Sequence, residues 1–168
     1  MSQINRIKGG LVNQKKSISF TFNGQILTGF EGDTLASALL ANNKKLVGRS
    51  FKYHRPRGIV TAGSEEPNAI MEIGNGAYKE PNTKATITEL YNGLEANSQN
   101  HRGPLGFDLM AITDFLSPLL GAGFYYKTFM WPKVFWEKFY EPAIRNAAGL
   151  GTLSNEADPD TYDKGFAI

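Results

Sequence analysis

Asn23-Gly24 lies between two alternating apolar runs, and few dipeptides commit a chain more firmly to a tight antiparallel hairpin. Before it, Ile18, Phe20 and Phe22 alternate with Ser17, Ser19 and Thr21, the period of a half-buried strand. Ile26 to Phe30 supply the return strand. Asp33 is then placed to cap a helix over "TLASALLANN", with Leu35, Ala36, Leu39 and Leu40 on one face. Asn42 and Asn43 end it, since either tolerates the left-handed backbone that closes a helix. Short strands are expected at 69–73 ("AIMEI") and 83–90 ("TKATITEL"). A hairpin, one helix across it, a loop and later strands is the order of a β-grasp domain, an α+β fold.

The expected layout is an N-terminal arm over 1–16, the β-grasp domain over 17–95, a helical extension over 96–150 and a polar tail over 151–168. The extension opens as polar linker, then holds a short helix, "DLMAITDFLSPLL", ending at Pro118. A segment dense in aromatics follows. From Pro132, Phe135, Trp136, Phe139 and Tyr140 fall on a helical stripe, with Trp131 just before it. Core is the commoner fate of such residues; an interface is the alternative, because Trp and Tyr are enriched at buried interface centres. A membrane-surface helix fits poorly, since Glu137 and Glu141 would face the headgroups that Lys127, Lys133 and Lys138 attract. "GNGAY" (74–78) and "GAGFYY" (121–126) read as turns.

The chain has no cysteine, which excludes disulfides, thiolate metal clusters and cysteine nucleophiles together. His54 and His101 make no zinc site with any carboxylate spacing present, so no metal ligand set is expected. No apolar run approaches the roughly 18 residues that span a bilayer, and no secretion signal opens the chain. A cytoplasmic protein without a membrane segment is the expectation.

A net charge of +2 gives no general affinity for polyanions, so an anion site must be local. One stretch qualifies: "RSFKYHRPRG", residues 49–58, holds Arg49, Lys52, His54, Arg55 and Arg57. Pro56 fixes its own φ and pushes Arg55 toward extended backbone, putting Tyr53, Arg55 and Arg57 on one side and Lys52 and His54 on the other. Two guanidinium groups about 7 Å apart suit a phosphate or a pair of carboxylates. A solvated loop pairing with the acidic tail or with Glu65 and Glu66 is the plainer reading. Bases stacked on Phe51, Tyr53 and His54 would be a third, but acidic residues nearly balance basic ones across the chain, so no nucleic-acid partner is expected. Arg49, Lys52, Tyr53, Arg55 and Arg57 are therefore the candidates for binding an anion or a cofactor phosphate. No catalytic constellation stands out; His101 beside Arg102 reads as a solvated loop histidine.

Taken together, "FNGQILTGFEGDTLASALLAN", "LVGRSFKYHRPRGIVTAGSEEPNA", "WEKFYEPAIRNAAGLG" and "ADPDTYDKGFA" resemble the start of the alpha subunit of heterotetrameric sarcosine oxidases, in consistent order from residue 17 onward. The resemblance implies an enzyme that oxidatively demethylates sarcosine to glycine, passes the one-carbon unit to tetrahydrofolate and yields hydrogen peroxide. It implies a [2Fe-2S] ferredoxin-like domain of β-grasp type at the front of the subunit, followed by an NAD-binding Rossmann domain and a folate domain. FAD would lie in the beta subunit and FMN between alpha and beta, with gamma and delta subunits completing the assembly.

Relatives that share the "YHRPRG" lead-in follow it with cluster-holding cysteines. Here Thr61 and Ser64 stand about where thiolates would be wanted, and hydroxyls are poor ligands for iron–sulfur clusters. The resemblance thus implies a clusterless, non-catalytic scaffold with no cofactor of its own. No G-x-G-x-x-G loop occurs, so the expectation is a chain that stops before the Rossmann domain, as a fragment, through an early end of the reading frame or as one piece of a split alpha subunit. A piece of a related N-methyl amino-acid or amine dehydrogenase, and a free-standing β-grasp adaptor, are the alternatives.

Overall fold

A computed structural model describes residues 3–119, 121, 123 and 131–157. The hairpin forms as the alternation demands. β1 (Asn13–Phe22) and β2 (Gln25–Glu31) pair antiparallel, with Phe20 opposite Leu27 and Phe22 opposite Gln25. Asn23 and Gly24 both take positive φ, 49° and 74°, which is what a two-residue turn matched to strand twist requires. Phe20, Phe22 and Leu27 point into the core, while Ile26 stays exposed.

α1 (Leu35–Ala41) follows, buried through Leu35, Ala36, Ala38, Leu39 and Ala41. Two details differ from the expectation. The cap is Thr34, whose hydroxyl accepts from Ser37 N while the Ser37 hydroxyl accepts from Thr34 N. Asp33, one residue earlier, is instead wholly buried and receives both arms of the Arg6 guanidinium, at 2.7 and 2.6 Å. Leu40 faces solvent, because Ala38 and Ala41 turn inward on the same helix. Asn43 closes the helix at φ 60°.

A small hairpin, β3 (Gly48–Arg49) with β4 (Pro56–Arg57), then stands apart from the main sheet. β5 (Ile70–Ile73), β6 (Glu80–Lys84) and β7 (Glu95–Ser98) complete a five-stranded mixed sheet in the order β2-β1-β7-β5-β6. β7 runs parallel to β1 and antiparallel to β5, and sits at the centre. The chain is of the α+β class.

Two sequence expectations are corrected here. The strand expected at 83–90 is β6, which ends at Lys84; residues 85–90 form a turn and an isolated bridge between Glu89 and Thr34. Residues 95–98, expected as the edge of a polar linker, are the central strand. "EANS" has almost no β-propensity, and its strand is made by the two neighbours that bond it. The core gathers Phe20, Leu35, Leu39, Met71, Leu94 and Ala96 between the sheet and α1.

Beyond the sheet, a 3₁₀ turn (Leu109–Ala111) leads into α2 (Ile112–Phe115), short of Pro118 as expected. Trp136–Tyr140 form a π-helical turn, in which Glu141 N donates to Trp136 O five residues back, and α3 (Glu141–Ala148) continues from it. Gly149 ends α3 at φ 68° against the end of β7. A Cβ there would meet Asn100 Cα at 2.7 Å, so only glycine allows the approach. Among the described residues no helix is long and apolar enough to cross a membrane. Most of "GAGFYY" and the end of the polar tail lie outside the described residues.

Candidate functional site: the basic hairpin and the loop behind it

The strip is not extended. Residues 51–54 turn sharply: His54 N donates to Ser50 O at 3.0 Å, Arg55 N donates to the Ser50 hydroxyl at 3.1 Å, and His54 takes a φ of 52°. The two-sided arrangement expected of Tyr53, Arg55 and Arg57 is therefore broken, because the chain reverses where a strand would carry on. Gly58 follows β4 with its Cα against Lys45 O, where a Cβ would come within 2.8 Å.

Each strip residue has its own surroundings. Arg49 is 8% exposed and donates from Nε and Nη2 to Leu105 O and from Nη1 to His54 O. His54 is buried with Nδ1 at 2.6 Å from Asp108 Oδ2. Asp108 Oδ1 accepts from Arg102 N and Met110 N. Burial acts to raise the Asp108 carboxyl, but those two N–H groups and His54 outweigh it and hold its pKa below the usual value. Arg55 pairs with Asp114 at 2.6 Å and lies over the Tyr53 ring at 4.6 Å from its centroid. Lys52 covers the same ring at 4.9 Å and donates to Gly121 O. Arg57 accepts from Val47 N through its backbone carbonyl, but its exposed side chain makes no hydrogen bond or ion pair among the described residues.

Behind the hairpin, "GIVTAGSEEPNA" closes around one acid. Glu66, fully buried, accepts from Val60 N, Thr61 N and the Thr61 hydroxyl on Oε2 and from Asn68 N on Oε1. Burial pushes its carboxyl up, and the N–H groups of Thr61, Asn68 and Val60 with the Thr61 hydroxyl more than reverse that, leaving the pKa lowered. Glu66 is thus no counter-ion for the strip, as the plainer reading had it. The carboxylates that do meet the strip are Asp108 and Asp114, more than 50 residues along the chain. No spacing signal marks them. His101 also differs from expectation: it is half-buried, with Nε2 at 2.8 Å from the Ser98 hydroxyl and Nδ1 at 2.8 Å from Gly103 O.

The aromatic stripe is not core. Trp131 (84%), Phe135 and Phe139 are exposed, and Trp136 and Tyr140 are half-buried. Phe135 meets Phe139 edge-on at 5.4 Å and Tyr140 at 6.5 Å. The short segment they occupy has little of the sheet to cover them. They gather into a surface cluster distinct from the basic hairpin.

Among known proteins, the chain is similar to the sarcosine oxidase subunit alpha of Rhizobium meliloti (strain 1021), 63% identical over 167 residues, which is 99% of this chain and 17% of that protein. It is similar to the subunit of the same name from Corynebacterium sp. (strain U-96), 39% identical over 58% of this chain and 10% of that protein. The chain thus spans under a fifth of the length of these relatives. A solved structure, L-proline dehydrogenase from P. horikoshii, is 26% identical with a TM-score of 0.41, covering 52% of this chain and 16% of that one. The family described as "2Fe-2S iron-sulfur cluster binding domain" matches residues 15–101.

The residues present do not fit that cluster. The chain offers no thiolate, Thr61 spends its hydroxyl on Glu66, and the described residues hold no group of three or more His, Asp or Glu placed for a metal. What matches is the body that carries a cluster elsewhere: the hairpin from residue 15 onward, α1 and the sheet around β7 lie inside the matched residues. By that match, over just more than half its length, the chain belongs to the 2Fe-2S iron-sulfur cluster binding domain family.

Proposed function

We propose that this chain is the non-catalytic N-terminal part of a sarcosine oxidase alpha subunit, a ferredoxin-like scaffold without a cluster. One observation carries the reading: the loop after the basic hairpin is closed by the Glu66 carboxylate on backbone N–H groups, in a chain without cysteine. A buried carboxylate satisfied by four donors has no capacity left for iron, and no thiolate stands ready to replace it. The identity to the Rhizobium meliloti subunit supports the assignment to that enzyme.

On this reading the complete enzyme oxidatively demethylates sarcosine to glycine, with tetrahydrofolate as one-carbon acceptor and hydrogen peroxide as product. FAD, FMN, NAD and tetrahydrofolate are bound by the remaining alpha-subunit domains and by the beta, gamma and delta subunits, in the cytoplasm. This chain contributes two surfaces. The basic hairpin engages an anion where domains or subunits meet. The aromatic extension, with Trp131, Phe135 and Phe139 exposed, docks on the rest of the alpha polypeptide, whose relatives are about six times longer than this chain.

The test is turnover. The isolated chain supplied with FAD, FMN and sarcosine forms no hydrogen peroxide, whereas the same chain joined to the rest of the alpha polypeptide and assembled with the beta, gamma and delta subunits does. Sarcosine-dependent peroxide from the chain alone would overturn the reading.

A further inference from the structure

Most of the basic hairpin's charge is already engaged. Arg55 is held by Asp114 and Tyr53, Lys52 by Tyr53 and Gly121, and His54 by Asp108. The Arg57 guanidinium is the exception, exposed and without a partner among the described residues. It lines a cavity of about 140 Å³ together with Arg49, Ser50, Asn68 and Asn100.

Arg49 makes this cavity unusual. Its guanidinium is more than nine-tenths buried, yet its contacts are neutral carbonyl oxygens, those of Leu105 and His54. Carbonyl dipoles satisfy hydrogen bonds but do not cancel a formal charge, and a buried charge is ordinarily paired. No carboxylate lines the cavity. Two cations, the Asn68 amide and the Ser50 hydroxyl line one small space suited to an anion, while Asn100, also in the lining, commits its amide nitrogen to the Ala148 and Gly149 carbonyls. The space is well below the roughly 300 Å³ at which pockets for drug-sized ligands begin, so it takes an anionic group and not a whole nucleotide.

We infer that the Arg49–Arg57 cavity binds one small tetrahedral oxyanion, either free phosphate or the terminal group of a phosphomonoester. Arg57 grips it from the solvent side, and the buried Arg49 supplies a fixed positive potential. The inference rests on the reading that the hairpin engages an anion and narrows it: Arg55, Lys52 and Tyr53 belong to the hairpin's own scaffold and not to the receptor.

The experiment is calorimetric titration of the full 168-residue chain with inorganic phosphate and, separately, methyl phosphate, at ionic strength held constant with chloride. Saturable one-to-one binding is expected, weakened about tenfold or more by Arg57→Gln through loss of a charge-assisted contact. Arg55→Gln leaves it unchanged, and Arg57→Lys, which keeps the charge, retains most of it. Methyl phosphate binding at least as tightly as phosphate supports a phosphomonoester as the source; clearly weaker binding supports the free ion. Binding that survives Arg57→Gln but is lost in Arg55→Gln overturns this assignment and leaves the wider hairpin reading standing. No saturation by either probe up to about 10 mM overturns both.

Discussion

Glu66 gathers donors from Val60, Thr61 and Asn68, so one side chain fixes nine residues of a loop that lacks secondary structure. Replacing it by Gln keeps the shape but removes the charge and turns an amide N–H toward backbone donors. Glu66→Gln is expected to cost about 2–4 kcal/mol, read as a lower urea midpoint at pH 7. Asp33, Glu66 and Asp108 all have carboxyl pKa values held below their ordinary ones, so each binds its proton less readily folded than unfolded. Their contribution is fully present above the ordinary carboxylate range near pH 4 and is lost as pH falls through the lowered folded values. Urea midpoints are therefore expected to fall between pH 5 and about pH 2, and less steeply in Glu66→Gln. A flat profile would contradict the assignment. None of these three roles is legible from residue type: Asp33 reads as a helix cap, Glu66 as a counter-ion for the basic strip, and Asp108 as the first residue of a short helix, because each role depends on a partner brought by the fold.

At the scale of elements, local patterning and tertiary pairing separate cleanly. The β1–β2 hairpin and α1 are legible because Ile18, Phe20 and Phe22 alternate around Asn23-Gly24 and because Leu35 and Leu39 share a face. β7 is not, since Glu95, Ala96, Asn97 and Ser98 carry no strand signal and owe their conformation to β1 and β5. Hydrogen exchange gives a direct check: amides of β7 are expected to exchange as slowly as those of β1, and those of edge strand β6 faster. Rapid exchange across β7 would contradict its central place. The basic hairpin was legible in composition and misread in shape, for the turn at 51–54 depends on Ser50 bonding both His54 N and Arg55 N.

For the whole molecule, the α+β body and the extension present different surfaces. Phe107, Leu109, Ile112, Phe115, Trp131 and Phe139 are all more than half exposed, more apolar area than scattered surface residues bring to a monomer. The isolated chain is accordingly expected to bind a hydrophobic dye such as ANS, and Phe115→Ser with Phe139→Ser to reduce that binding without moving the urea midpoint by more than about 1 kcal/mol equivalent. Dye binding unchanged by both substitutions would remove the extension as a docking face. The central claim, a ferredoxin-like body that keeps its fold without sulfur ligands, is tested most directly by iron analysis with EPR on anaerobically purified chain. The account predicts no stoichiometric iron and no signal after reduction. About two irons per chain with a reduced-cluster signal would contradict it.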